Sequence, residues 1–173
     1  MSDHPYLTRG HVEETRRARR AAIEALGVAP YAYAFAVDTT AAAAVRQGAA
    51  LEGDATGAVV RVAGRLVAWR GQGKTVFAHL EDASGRVQLY LRRDQLTAQW
   101  PLIELLDLDD HIGVVGELFV TRTGEPTIRV HDVTLLAKSL RPLPRGKTER
   151  LDDGTVVVHG GLTGLVHGAD TTP

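Results

Sequence analysis

Between residues 58 and 136 the hydrophobic period of the chain becomes two, which restricts this region to half-buried strands. In "VVRVAGRLVAW" Val60, Val62, Leu66 and Ala68 share one parity, and Arg61, Arg65 and Trp69 share the other. "TVFAHLED" sorts Val76, Ala78 and Leu80 against Thr75, Phe77 and His79, and "GRVQLYLR" sorts Val87, Leu89 and Leu91 against Arg86, Gln88, Tyr90 and Arg92. Three successive strands thus carry one aliphatic face and one face of aromatics, arginines and amides. "EDASGR" over 81–86 predicts a tight hairpin between the second and third of them.

Residues 94–110 break the alternation. Leu96, Trp100, Ile103 and Leu106 follow helical spacing, with Asp94 expected as N-cap and Pro101 as a kink or split. Period two returns at Ile112, Val114, Leu118 and Val120, and after "RTGE" (122–125) at Ile128 and Val130. Three strands, a helix and two strands is the order of the OB-fold, a five-stranded Greek-key barrel whose second and third strands present the oligonucleotide-binding face. The expected class is mainly β with flanking α: this barrel, its helix between strands 3 and 4, and a preceding N-terminal helix.

That first helix is predicted over 12–26, with Gly27 as its C-terminal stop. Arg16, Arg17, Arg19 and Arg20 crowd two of its turns, and two readings stand side by side: ion pairs with Glu13, Glu14 and Glu24, or contacts to phosphate. Residues 29–51 read as an extended connector and a short alanine-rich helix beginning after Thr39 or Thr40. The expected organisation is a helix and connector over 1–54, the barrel over 55–144, and a flexible glycine-rich tail over 145–173 with a short strand at 156–158.

A chain of 173 residues can bury the core of one ordinary domain. Its net charge of −1 supplies no global field for a polyanion or an anionic membrane, so any such site must be local. Residues 61–93 supply one, with seven basic residues (Arg61, Arg65, Arg70, Lys74, Arg86, Arg92, Arg93) against two acidic ones (Glu81, Asp82), a balance of +5. Cysteine is absent, which excludes disulfides and thiolate metal sites. The seven histidines show no paired metal spacing, and Ser84 and Ser139 lack a general-base partner, so neither a metal centre nor a hydrolase is expected. The N-terminus has no apolar signal core and no 18-residue apolar run occurs; the expected location is the cytoplasm, with no membrane partner.

"AWRGQGKT" (68–75) approaches the phosphate-loop pattern G-x-x-x-x-G-K-[ST], with Ala68 at the first glycine. Such a loop needs a helix directly after Lys-Thr to complete the anion site. Here "VFAHLED" follows, so the segment is expected to connect two strands instead. Phe77 and Tyr90, with Trp69 at its strand end, project from the basic face. Cationic tracking of the backbone combined with stacking platforms is how single-stranded nucleic acid is held. Gln88 adds an amide for a Watson–Crick edge.

The stretches "VRVAGRLVAWRGQGKTVFAHLEDASGRVQLYLRRD", "LDLDDHIGVVGELFVTRTGEPTIRV" and "LLAKSLRPLP", with "RRARRAAIEALGVAPYAYAF" before them, resemble the N-terminal anticodon-binding OB domain of class II lysyl-tRNA synthetases. The resemblance runs from about Arg16 to Pro144. It implies that Phe77 stacks on an anticodon base, that Arg70 and Gln88 read the central uridine, and that Glu125 contacts a neighbouring base. Arg65, Trp69, Lys74, His79, Arg86, Tyr90 and Arg92 are secondary candidates. Two departures stand out: Trp69 occupies a position where the family commonly has a basic residue, and "DLGD" reads "DLDD" at 107–110, which is expected to touch only a turn. The implied partner is the anticodon stem-loop of a lysine tRNA, with a homodimer as in the family. The family's catalytic domain uses ATP and magnesium. Its motifs do not occur in residues 145–173, so no cofactor and no aminoacylation are expected from these residues. Two alternatives remain open at this point: a non-catalytic module of protein interaction or regulation, and a general single-strand binder.

Overall fold

In the computed structural model the described residues are 5–52, 55–71, 73–141, 143, 147–150 and 156–159. The chain divides into two compact units, Met1–Arg141 and Pro142–Pro173. The first holds helix α1 (Pro5–Ala25), helix α2 (Ala41–Ala49), strands β1 (Val59–Arg70), β2 (Thr75–Asp82) and β3 (Gly85–Arg92), helix α3 (Trp100–Ile103), and strands β4 (His111–Val120) and β5 (Pro126–Ala137). The five strands close into a barrel in the order β1-β2-β3-β5-β4, all neighbours antiparallel except β3 and β5. This is the expected OB-fold arrangement.

The aliphatic parity becomes the barrel interior. Val62, Leu66, Ala78, Leu80, Leu89, Leu91, Ile112, Val114, Leu118, Ile128 and Val130 are at most 1 % exposed. Each buried leucine or isoleucine contributes roughly 1.5–3 kcal/mol. The barrel coils tightly where side chains would obstruct it: a Cβ at Gly64 would lie 2.4 Å from the Glu81 carbonyl oxygen, and one at Gly116 2.2 Å from that of Arg129.

Asp82 organises the β2–β3 hairpin. Its Oδ1 accepts from the N–H groups of Ser84 (2.7 Å) and Gly85 (3.1 Å), while Oδ2 accepts from the Ala41 N–H at 2.8 Å and so ties the start of α2 to the barrel. Burial pushes this carboxyl up, but the N–H donors of Ala41, Ser84 and Gly85 more than offset that and hold it below its ordinary value. Thr40 caps α2, accepting from the Ala43 N–H, as its position in the sequence predicts.

Three elements differ from expectation. Helix α1 begins at Pro5, earlier than residue 12. The helix expected over 94–110 is confined to Trp100–Ile103: Gln99 is its N-cap, not Asp94, and Pro101 sits at the helix start, where a missing N–H costs nothing. In the second unit β6 (Lys147–Arg150) pairs antiparallel with β7 (Val156–His159), so the strand expected at 156–158 has a partner that the sequence did not reveal. Residues 145–146, 151–155 and 160–173 of the expected tail lie outside the described residues.

A cluster of buried charge holds α1 against the barrel. Lys138 and Asp110 have fully buried side chains, and the Lys138 ammonium donates to Asp107 Oδ2 at 2.6 Å and to both Asp110 oxygens at 2.9 Å. Arg19 of α1 bonds Asp107, and Arg16 donates to Ser139 Oγ at 3.0 Å. Asp109, where the family resemblance has glycine, takes φ 77°, so this departure does fall on a turn, one that glycine fits more easily.

Candidate nucleic-acid interface

One extra residue in β1 decides which side chains face the site. The pairing with β2 runs Leu66↔Leu80 and then Ala68↔His79, leaving Val67 as a bulge. A one-residue insertion flips every later side chain to the opposite face. Trp69 therefore pairs with Ala78 and packs against the core, lining a groove with Val76 and Trp100. This corrects the expectation that Trp69 joins the polar face and Ala68 the aliphatic one. Arg70, the next residue after Trp69, pairs with Phe77 and stands on the polar face.

Across the barrel that face continues through Phe77↔Tyr90, His79↔Gln88, Tyr90↔Arg129 and Gln88↔Thr127. Phe77, Tyr90 and Phe119 form a row, with ring centroids 4.9 Å apart between the first two and 5.8 Å between the second pair. The Arg129 guanidinium lies 4.7 Å from the Phe119 centroid. These side chains, with Arg70, Gln88 and Glu125, line an open cavity of about 680 Å³. The structure thus brings together all four principal candidates, Arg70, Phe77, Gln88 and Glu125.

Gln88 differs from expectation in exposure. It is only 5 % exposed, yet it lines the cavity and, paired with His79 and Thr127 on the polar parity, does not point into the barrel. Arg70 donates to Gln88 Oε1 at 3.3 Å, and Gln88 Nε2 donates to Thr127 Oγ1 at 2.9 Å. An amide offers two N–H groups and two lone pairs, so one of each remains for a ligand.

Two further hollows adjoin the first. One, of about 540 Å³, shares Tyr90 and Arg92 with it and adds Lys74, Arg93 and Thr97. Its lining sets three cations and two threonine hydroxyls against one carboxylate, that of Asp94, a net positive wall suited to phosphate and ribose. Arg92 is paired with Asp94, whose carboxyl that guanidinium holds below its ordinary value. Lys74 has no ion-pair partner among the described residues. The other hollow, of about 590 Å³, shares Arg70, Gln88 and Glu125 and adds His79, Arg86 and Pro126. His79 Nε2 lies 3.3 Å from Glu125 Oε1, and Arg86 is paired with Glu81. Arg65, opposite Glu81 and His111 in the ladders, lines none of these three hollows.

The sequence reading missed Phe119, Thr127 and Arg129. Parity carried their signal, since each stands beside an inward aliphatic residue: Phe119 next to Leu118, and Thr127 and Arg129 on either side of Ile128. The "RGQGKT" segment ends in β2 at Thr75 with no helix after Lys74, which excludes a phosphate loop. Among the described residues no group of three or more potential ligands could hold a metal ion, and no helix is long and apolar enough to cross a membrane.

Residues 60–136 match the tRNA anticodon family, described as an OB-fold nucleic acid binding domain. The chain is similar to the lysine–tRNA ligase of Christiangramia forsetii, at 41 % identity over 146 residues, 80 % of this chain and 25 % of that protein. It is also similar to those of Enterococcus faecalis (48 % over 86 residues, 49 % of this chain, 17 % of that protein) and Carboxydothermus hydrogenoformans (49 % over 86 residues, 49 % and 18 %). The chain spans a quarter or less of the length of these relatives.

Proposed function

We propose that this chain binds the anticodon loop of a lysine tRNA, acting in the cytoplasm as the anticodon-reading part of a lysyl-tRNA synthetase. The observation that carries the reading is the single cavity in which a stacking row (Phe77, Tyr90, Phe119) meets two hydrogen-bonding groups (Arg70, Gln88). Stacked bases are worth roughly 1–3 kcal/mol each on such platforms. Arg70 is a donor only, so it favours the O4 acceptor of uridine and opposes the N4 amino group of cytidine. Glu125, on the wall shared with the His79 hollow, contacts the neighbouring base. Lys74, Arg92 and Arg93 track the backbone. Binding itself uses neither ATP nor magnesium; those belong to the lysine-transfer step of the whole synthetase, which acts as a homodimer.

The test is a titration of the chain with a lysine-anticodon stem-loop and with the same RNA carrying cytidine at the central anticodon position. The expected result is a preference for uridine of roughly tenfold or more, the scale of one well-placed polar discrimination. Equal affinity would make the chain a general single-strand binder. No binding to either would leave a protein-interaction module.

A further inference from the structure

We infer that Thr127 is a positioning residue that locks the Gln88 amide in one orientation, and that this lock sets the discrimination between uridine and cytidine. The inference rests on the reading that Arg70 and Gln88 face the central base. Thr127 is 0 % exposed and stands opposite Gln88 in the parallel β3–β5 ladder. Its hydroxyl donates to the Glu125 carbonyl oxygen at 3.0 Å and is left to accept from Gln88 Nε2 at 2.9 Å. A hydroxyl has one proton, so with that proton committed it can only accept from the amide. The other end of the amide is fixed independently: Arg70 has no acceptor, so the atom facing it at 3.3 Å must be Oε1. Two neighbours that share no atom therefore demand the same orientation.

The consequence follows from base chemistry. Uridine presents a carbonyl acceptor beside an N3–H donor, and cytidine presents an amino donor beside an N3 acceptor. A free glutamine satisfies either by turning its amide through half a revolution. The locked Gln88 cannot turn without setting its N–H against Arg70 and its oxygen against a hydroxyl whose proton is already engaged. The lock also reaches the β4–β5 turn, because the Glu125 carbonyl accepts the Thr121 N–H at 3.0 Å as well.

The test compares Thr127→Val and Thr127→Ser in the whole chain, reading the ratio of Kd for cytidine-centred and uridine-centred stem-loops. Thr127→Val should lower that ratio by about threefold to tenfold, the worth of one hydrogen bond. Thr127→Ser, which keeps the hydroxyl, should hold it within about twofold of the unsubstituted protein, a range set by context at such sites. An unchanged ratio in Thr127→Val, or a loss in Thr127→Ser as large as in Thr127→Val, would overturn the lock while leaving the uridine reading intact. Failure of the unsubstituted chain to prefer uridine would overturn both. If Thr127→Val does not fold, proton exchange in the unsubstituted chain decides: one Gln88 side-chain N–H should exchange about tenfold more slowly than those of exposed Gln95. Equal exchange at the two glutamines would overturn the lock.

Discussion

The arginines of α1 and the cations of the barrel face look alike in sequence and differ in what surrounds them. On α1, Arg16 is 7 % exposed and bonds Ser139, Arg17 pairs with Glu13 at 2.6 Å, Arg19 pairs with Asp107, and Arg20 lies 3.6 Å from Glu24. On the barrel face, Arg70 bonds a neutral amide, and Lys74 and Arg122 have no ion-pair partner among the described residues. All three line cavities. Density of positive charge therefore does not separate structure from binding in this chain. What sets Arg70, Lys74 and Arg122 apart is that no carboxylate pairs with them among the described residues, whereas Arg92 and Arg93 hold local partners in Asp94 and Glu104, and the α1 arginines reach partners as far as 88 and 123 positions along the chain.

The buried cluster that anchors α1 carries the largest expected effect. Lys138→Met leaves Asp110, 0 % exposed, without its counter-charge, and should cost about 3 to 5 kcal/mol of folding stability in urea unfolding. RNA affinity of the folded fraction should be unchanged. A loss under about 1 kcal/mol would mean the cluster does not hold α1 as described.

A smaller effect is expected at Lys74. Lys74→Gln should reduce the slope of log Kd against log salt by about 0.7, the value of one phosphate on a single strand, with no change in thermal midpoint. An unchanged slope would take Lys74 out of the backbone path. The smallest effect belongs to Arg17→Ala: its pair with Glu13 is open to solvent and screened, so stability should barely change, and its salt slope should match that of the unsubstituted chain. A drop in slope there as large as for Lys74→Gln would erase the distinction between the two regions.

Much of the barrel was legible in the sequence because period two maps directly onto inside and outside. The interior positions read from Val60 through Val130 are buried, apart from Ala68 and Val120. Ala68 follows the Val67 bulge, whose register depends on the partner strand and not on local propensity. The same bulge misplaced Trp69. The site was legible where an aromatic or amide interrupts an aliphatic rhythm, as at Phe77 and Gln88. It was not legible where the contact joins distant strands: the Gln88–Thr127 bond spans 39 positions, and nothing near Thr127 announces it. The short α3 follows from Pro101, which can open a helix as readily as break one; sequence spacing did not choose between the two.

The account stands on the polar parity of β2 and β3 being a surface that meets RNA and not a second core. Phe77→Ala, titrated with the lysine-anticodon stem-loop and melted alongside the unsubstituted chain, tests that most directly. The prediction is a loss of binding of about 1 to 3 kcal/mol with the melting temperature nearly unchanged. Unaltered binding, or a chain that no longer folds, would contradict it.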